Sequence, residues 1–403
     1  MKALSSLVHA LADARARNDA LFAMVRPDSL YERPVPERHR LVFYLGHLDA
    51  FDWNQIGRGA LGLQPFHAAF DRLFAFGIDP PMEQLPGDQA SDWPPVEEVR
   101  GYNKRVRRAL DEVLADAPEQ MLHVAVEHRL MHAETFAYIL HNMPPERKTV
   151  QPALGMPAGA APVHAMIGIP EGTATLGHNR EDGFGWDNEC DVSMVQVPAF
   201  AIGKYKTTNC QYLQFVRDGG APPHFWTKRD GQWFWRTMSG TVPLPLDWPV
   251  YVTWTQALAY AQWAGKTLPT EAQFHRAAYG TPTGEERPYP WGSEPPDERH
   301  GNFDFRRWDP FSVTASPLGD SAFGVSQLVG NGWEWTSTVF RPFAGFQPFP
   351  FYPGYSEPFF DGGHYVLKGA SPRTAARLLR RSCRNWFRPN YPYVYAAFRC
   401  VEN

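Results

Sequence analysis

Val126-Glu127-His128-Arg129-Leu130-Met131-His132-Ala133-Glu134 is the stretch around which this 403-residue chain is organised. Two histidines four apart on a helix project from one face, one turn above the other, so both imidazoles can reach a single metal ion. Met121, Ala125, Thr135 and Ile139 continue that face and are mostly apolar, which directs the rings into a core rather than into water. Spacing alone leaves two readings open, a hydrogen-bonded pair inside a core or two ligands of a metal. Glu134 lies two residues past His132, about 200° around the helix, and reads as a supporting group, not a ligand. Arg129 stands where the HExxH motif of zinc hydrolases needs its glutamate, which disfavours that chemistry.

Outward from this stretch, residues 1 to 143 carry helical periodicity, in segments 5–24, 37–61, 96–115 and 118–142. Phe43, Tyr44, His47, Phe51 and Asn54 fall on one side of the second segment. A loop runs from Pro80-Pro81 to Pro94-Pro95. Four helices with one long connection predict an antiparallel bundle, an architecture that commonly holds metals between facing helices. A Pro/Ala/Gly-rich stretch over 144–165 then breaks the pattern. From Met166 onward short β-like runs such as Thr173-Ala174-Thr175-Leu176 and Ser193-Met194-Val195-Gln196-Val197 alternate with turns. Helical patterns return only over 209–218, 254–264 and 270–279, giving an α+β domain with much irregular structure. The expected organisation is a bundle over 1–148, a linker over 149–165 and a second domain over 166–403.

Composition narrows the function. A net charge of −4 argues against a dedicated nucleic-acid binder, whose affinity rests on neutralising phosphates. The four cysteines (Cys190, Cys210, Cys383, Cys400) show no CxxC spacing, so neither a disulfide framework nor a zinc knuckle is expected. Residues 1–17 are interrupted by His9, Asp13 and Arg15, no stretch reaches membrane-spanning length, and a reducing cytoplasm is the expected compartment. The 14 Trp, 16 Tyr and 27 Phe, with 38 Pro and 33 Gly, suggest a loop-rich second half held together by large side chains.

The second half resembles the formylglycine-generating-enzyme/sulfatase-modifying-factor domain, a variant of the C-type-lectin-like fold. The resemblance is carried by Gly185-Trp186-Asp187-Asn188-Glu189, Lys206-Thr207-Thr208-Asn209 with Tyr212 and Phe215, Thr267-Leu268-Pro269-Thr270-Glu271-Ala272, Gly330-Asn331-Gly332-Trp333-Glu334-Trp335-Thr336, Leu367-Lys368-Gly369 and Ala397-Phe398-Arg399. The first half resembles a DinB-like four-helix bundle. The combination is similar to the ergothioneine-type sulfoxide synthases, which use non-haem Fe(II) and O2 to join sulfur to the imidazole of hercynine. Those enzymes hold iron with three histidines, one in a Gly-His segment and two in an HxxxHxE segment. Leu45-Gly46-His47 and His128 to Glu134 match both, so the resemblance adds His47 to His128 and His132 as an implied iron ligand. Asp49, Asp52 or Glu127 would be needed for the alternative of two histidines and one carboxylate.

The resemblance also implies where substrate sits. Ser382-Cys383-Arg384-Asn385-Trp386-Phe387-Arg388-Pro389 matches a segment of the hercynine pocket, with Asn385 on the carboxylate or ring and Trp386 facing the trimethylammonium, which only aromatic faces bind well. A tyrosine in the second domain is implied as proton donor; Tyr352 and Tyr355 are the leading candidates, with Tyr391 and Tyr393 behind them.

Three departures bear on the sulfur or selenium donor. Met131 precedes His132 where mycobacterial-type synthases have glutamine. The third helix reads Gly101-Tyr102-Asn103-Lys104-Arg105, and Phe387 replaces the aspartate that pairs with the ammonium group of γ-glutamylcysteine. Tyr102, Met131 and Phe387 therefore join Asn385 and Trp386 as expected substrate-side residues. The sequence around His47, Arg40 to Trp53, also differs from the usual synthase pattern. These features point to a divergent branch most like selenoneine synthase, taking a selenosugar, with free cysteine as the alternative donor and γ-glutamylcysteine disfavoured. Small-molecule substrates, a monomer or homodimer, and neither nucleic acid nor membrane are the expected partners. Two remoter readings remain: a copper-dependent formylglycine-generating oxidase, weakened because Leu378 stands where a second cysteine beside Cys383 is needed, and a non-enzymatic ligand-binding module.

Overall fold

The helical periodicity of the first third takes shape as α1 (Lys2–Phe22), α2 (Leu41–Asp52), a short α3 (Ala68–Leu73), α4 (Val96–Asp111) and α5 (Glu119–His141). The computed structural model describes residues 2–75, 85–149 and 159–402. The start of the loop expected at 80–95, and most of the linker expected at 149–165, lie outside the described residues. Two compact units result, Met1–Gln151 and Pro152–Asn403. Among the described residues no helix is long and apolar enough to cross a membrane.

In the first unit α1 packs along α5, and α2 packs against α4 and α5. The single apolar side expected for α2 is not what forms, since every residue from Leu41 to Asp52 is buried. A helix buried all round must neutralise its charges internally. Arg129 of α5, fully buried, donates from Nη2 to Asp49 Oδ1 at 2.5 Å and from Nε to Asp52 Oδ2 at 2.7 Å. Arg107 of α4 adds a bond from Nε to Asp49 Oδ1 at 2.9 Å. Burial pushes both carboxyls up; at Asp49 the pull of Arg129 and Arg107 overrides it and the pKa falls, whereas Asp52 stays raised. This clamp fixes α2 against α4 and α5. Past Asp52 the helix continues as a π-helical stretch, Trp53–Ala60.

The second unit contains twelve short strands and three helices among its described residues. Strands β1 (Met166–Ile169), β2 (Gly172–Leu176), β3 (Ser193–Val197) and β4 (Phe200–Gly203) precede α6 (Asn209–Arg217). A hairpin-linked set follows, β5 (Trp226–Arg229), β6 (Gln232–Arg236) and β7 (Thr241–Pro243), then α7 (Trp254–Trp263) and α8 (Glu271–Tyr279). The chain ends with β8 (Gly332–Val339), β9 (Tyr365–Ala370), β10 (Asn385–Phe387), β11 (Ala396–Ala397) and β12 (Val401–Glu402). The largest sheet runs β10-β9-β8-β11, and β1-β4-β12, β2-β3 and β5-β6-β7 form the others. The two β-like runs expected from sequence pair with each other, Thr175 opposite Met194. All three helices start in the same way: Thr208, Thr253 and Thr270 each accept from the backbone N–H three residues on, where Gln211, Gln256 and Gln273 reach back.

Two buried ionic nodes show what the motif residues do. Glu334 of β8 receives Arg399 from Nε at 2.6 Å and from Nη2 at 2.8 Å, and Lys206 Nζ at 2.6 Å. All three side chains are fully buried, and the spare donors reach the carbonyls of Gln327, Gly203 and Ser326. In the second node Glu271 meets Arg384 Nε at 3.1 Å and Lys368 Nζ at 3.8 Å, while Lys368 caps the carbonyls of Arg381 and Cys383. The first node ties together motifs nearly two hundred residues apart and the second motifs more than a hundred apart, which gives Lys206, Glu271, Glu334, Lys368 and Arg399 structural roles. Asn331, in left-handed backbone between two glycines of the same kind, cross-links the Phe311 loop through both its side-chain atoms.

Candidate metal centre and aromatic cluster

Helix α5 projects His128 and His132 from one face, and the clamp described above sets α2 so that His47 faces them. The ligand-capable atoms of His47, His128 and His132 all lie within 4.8 Å of one another. His47 Nε2 is 3.3 Å from His128 Nε2. Imidazole nitrogens bound about 2.1 Å from one metal sit roughly 3.0–3.4 Å apart, so the spacing suits a shared ion. Asp49 and Asp52, which could have supplied a carboxylate ligand, are instead turned to Arg129.

The surroundings orient each ring. His47 Nδ1 lies 2.7 Å from the Phe74 carbonyl oxygen, which can only accept, so Nδ1 carries the proton and Nε2 presents its lone pair to the other imidazoles. His128 stacks on Phe51 at 3.5 Å and 10°, and Phe43 stacks on His47 at 4.9 Å. His47 and His128 are buried and His132 is partly exposed.

Burial holds all three imidazoles neutral, with the pKa of His47 lowered to about 4 and those of His128 and His132 well below the usual value. Neutral imidazole is the ligating form, so these rings need shed no proton at neutral pH to take a metal. The sign of the stability effect follows. Below pH 6.5 the unfolded chain takes up protons that the native His47 refuses until about pH 4. The metal-free protein is therefore expected to lose stability as pH falls through that window, by up to about 1.4 kcal/mol per pH unit for each such histidine. Denaturant titrations of metal-free protein at pH 7.5 and 5.5, followed by helical circular dichroism, check this; equal stabilities would contradict it.

The expected substrate-side residues part company in the structure. Trp386 stacks on Phe340 at 4.3 Å and meets Tyr355 edge-on at 5.5 Å and Phe359 at 5.6 Å. Tyr355 in turn stacks on Trp186 at 4.1 Å and lies 5.7 Å from Tyr352. Phe387, the next residue of β10, stacks on Tyr391, which is followed by Tyr393. Alternation along a strand separates the two sets. Asn385 turns its Oδ1 to the Trp386 amide at 2.9 Å. The Tyr352 phenol is raised to about 12, by burial and then by the Asp187 carboxylate, so it keeps its proton at neutral pH. In the bundle, Tyr102 is fully buried and donates to Asp71 Oδ1 at 2.8 Å, which places it in the core; Met131 is half-buried beside His132.

Several roles are not legible in the sequence. The Arg129 clamp was signalled by charges at Asp49, Asp52 and Arg129 inside otherwise apolar helices, which had to find one another. Glu189, buried, is held by both Arg380 and Ser382, with Ser382 Oγ at 2.6 Å, and Asp187 accepts from Ser356, so the Gly185–Glu189 motif braces the loop carrying Tyr352 and Tyr355. The role of Phe74 depends on a backbone carbonyl, which no side-chain pattern records.

Comparison with known proteins bears on both units. Residues 152–403 match the Sulfatase-modifying factor enzyme 1-like domain, and residues 10–152 match the DinB superfamily. The chain is 35% identical over 327 residues to "Hercynine oxygenase" of Mycobacterium tuberculosis, covering 75% of this chain and 76% of the relative. It is 28% identical over 492 residues to "Ergothioneine biosynthesis protein 1" of Neurospora crassa, covering 94% of this chain and 56% of that protein. A match to the "Formylglycine-generating enzyme" of Thermomonospora curvata, 30% identical, is confined to 42% of the chain.

Proposed function

The chain belongs to the hercynine oxygenase family, an O2-dependent enzyme family with a DinB-like bundle and a sulfatase-modifying-factor-like domain, and from that premise we propose that it is a non-haem iron enzyme joining selenium to the imidazole of hercynine. The single observation that carries the iron assignment is the convergence of three neutral imidazoles, His47, His128 and His132. His47, His128 and His132 would hold Fe(II), which would supply O2-activating redox chemistry and an affinity for a soft selenolate or thiolate.

The chain's own residues do the rest. Phe43 and Phe51 pack on the imidazoles and exclude water from that side. Trp386, with Tyr355 and Phe359 around it, offers aromatic surface to the trimethylammonium of hercynine. Asn385 supplies an amide for the carboxylate or ring, and Tyr352, protonated at neutral pH, or Tyr355 beside it supplies the proton. Phe387 provides no anion for the ammonium group of γ-glutamylcysteine, which supports a selenosugar donor. The relatives' names, hercynine oxygenase and ergothioneine biosynthesis protein 1, favour one second reading, in which sulfur and not selenium is joined to hercynine, with cysteine as its proposed donor.

Protein loaded anaerobically with Fe(II) is then given hercynine, O2 and, separately, a selenosugar, cysteine or γ-glutamylcysteine. Mass spectrometry is expected to find a product with the selenium isotope pattern. Turnover confined to cysteine or γ-glutamylcysteine overturns the selenium assignment and leaves the sulfoxide synthase; no turnover with any donor removes the enzymatic reading.

A further inference from the structure

The glycine before His47 has a physical reason that motif matching does not supply. A β-carbon built on Gly46 would lie 2.6 Å from three carbons of the Phe74 ring, Cδ1, Cε1 and Cζ. That is about 1 Å inside the ordinary carbon–carbon separation. The ring cannot step aside freely. Phe74 is fully buried and packed edge-on by Phe70 at 5.6 Å, with Trp93 stacked at 6.1 Å and Tyr102 at 6.4 Å. The same residue's carbonyl is the acceptor that fixes the His47 tautomer, at 2.7 Å. One residue at the end of α3 thus reads α2 at two neighbouring points, ring against Gly46 and carbonyl against His47.

Resting on the three-histidine reading above, we infer that Gly46 and Phe74 are positioning residues of the metal centre: the missing side chain at Gly46 lets the Phe74 ring seat directly on α2, and that seat holds the Phe74 carbonyl where it orients His47. The physical requirement is narrow. A hydrogen bond of 2.7 Å is lost if its acceptor retreats by about 1 Å, because polar contacts beyond 3.5 Å no longer count as hydrogen bonds. His47 could then turn or take its other tautomer, with the Nε2 lone pair no longer aimed at the shared point. Groups that orient a ligating histidine in this way are typically worth 10–100-fold in metal affinity.

The test uses Co(II) as the probe, read by its visible absorption, on the full chain, with Gly46→Ala, Phe74→Ala and the double variant. Gly46→Ala is expected to weaken Co(II) binding by about 10–100-fold and to alter the absorption envelope. Phe74→Ala keeps the carbonyl but removes the ring that seats it, so it is expected to weaken Co(II) binding as well, and the double variant is expected to be no weaker than the weaker single variant, a non-additivity that independent losses do not produce. Long-range ¹H–¹⁵N spectra of metal-free protein provide a readout independent of metal: His47 is expected as the Nδ1–H tautomer in the parent and as a mixture in Gly46→Ala.

Parental affinity and an unchanged spectrum in Gly46→Ala overturn the inference. So does a double variant whose loss is the product of the two single fold-losses, because the ring and the glycine would then act independently. His128→Ala separates the underlying reading: if the parent and His128→Ala bind Co(II) alike, the three-histidine site itself falls and this inference with it. A parent that binds through His128 together with an indifferent Gly46→Ala removes only the role of Gly46 and Phe74.

Discussion

His128→Ala protein is expected to be recovered folded but stripped of iron, retaining less than about a tenth of the parental metal, a tenfold or greater loss of the kind expected when a ligating group is removed. His128 is one of the three, its Nε2 3.3 Å from that of His47, so its removal leaves two imidazoles that no longer close a three-nitrogen face. Alanine is the best helix former, so α5 persists, while the Phe51 ring loses the imidazole stacked on it at 3.5 Å. A bound metal contributes several kcal/mol to transition-state stabilisation, and at 1.36 kcal/mol per tenfold turnover is expected to fall on the order of 10³-fold. Metal analysis of the purified, Fe(II)-loaded protein, alongside product formation, measures both. Glu134→Gln serves as the comparison and is expected to retain iron, since Glu134 lies off the face that carries the two histidines. A His128→Ala protein with parental iron content would return the pair to the reading of core histidines bonded to each other.

The largest loss of stability is expected at Glu334. Its carboxylate accepts from both Lys206 and Arg399 in the buried node, and Glu334→Ala leaves those two cations buried without it. Breaking such a node from one side costs about 3–5 kcal/mol, because the remaining charges stay desolvated. Lys206→Met is expected to cost less: the two Arg399 bonds to Glu334, at 2.6 and 2.8 Å, survive it and keep the carboxylate paired. Denaturant unfolding followed by near-ultraviolet circular dichroism, to which the neighbouring Trp333 and Trp335 contribute, gives the order Glu334→Ala worse than Lys206→Met. An equal or reversed order would mean that the lysine, and not the arginine, is the principal partner. The cost belongs to folding and not to chemistry, so any protein that remains folded is expected to bind Co(II) at the three histidines as the parent does.

These two sites show how differently sequence serves a ligand set and a structural node. Spacing alone made His128 and His132 legible, because two residues four apart on a helix must share a face. His47 is 81 positions away from His128, and no local period connects them. Resemblance supplied that third residue; the packing of α2 against α5, clamped by Arg129 on Asp49 and Asp52, brings it within reach. Residues such as Glu334 and Arg399 were equally visible as motif positions, yet a motif does not say whether its charge faces a substrate or another buried charge. Their burial and mutual hydrogen bonds give the answer.

The segment around Trp386 shows the limit from the other side. Asn385, Trp386 and Phe387 read in sequence as one pocket wall. On β10 the pleat sends Trp386 toward Phe340 and Tyr355, and Phe387 toward Tyr391. Tyr102 likewise passes from an expected substrate contact to a core residue bonded to Asp71.

What this sequence determined by itself was therefore whatever depends on short periods: the helices of the bundle, the threonine-capped helices of the second unit, and the His128–His132 pair. Tertiary structure alone decided which charges are buried against which, which face of β10 each aromatic ring takes, and why Gly46 must lack a side chain. The physical reason is range. Periodicity and capping act within a few residues, whereas desolvated ion pairs, ring packing and the convergence of three imidazoles are set by chain segments that meet only after folding.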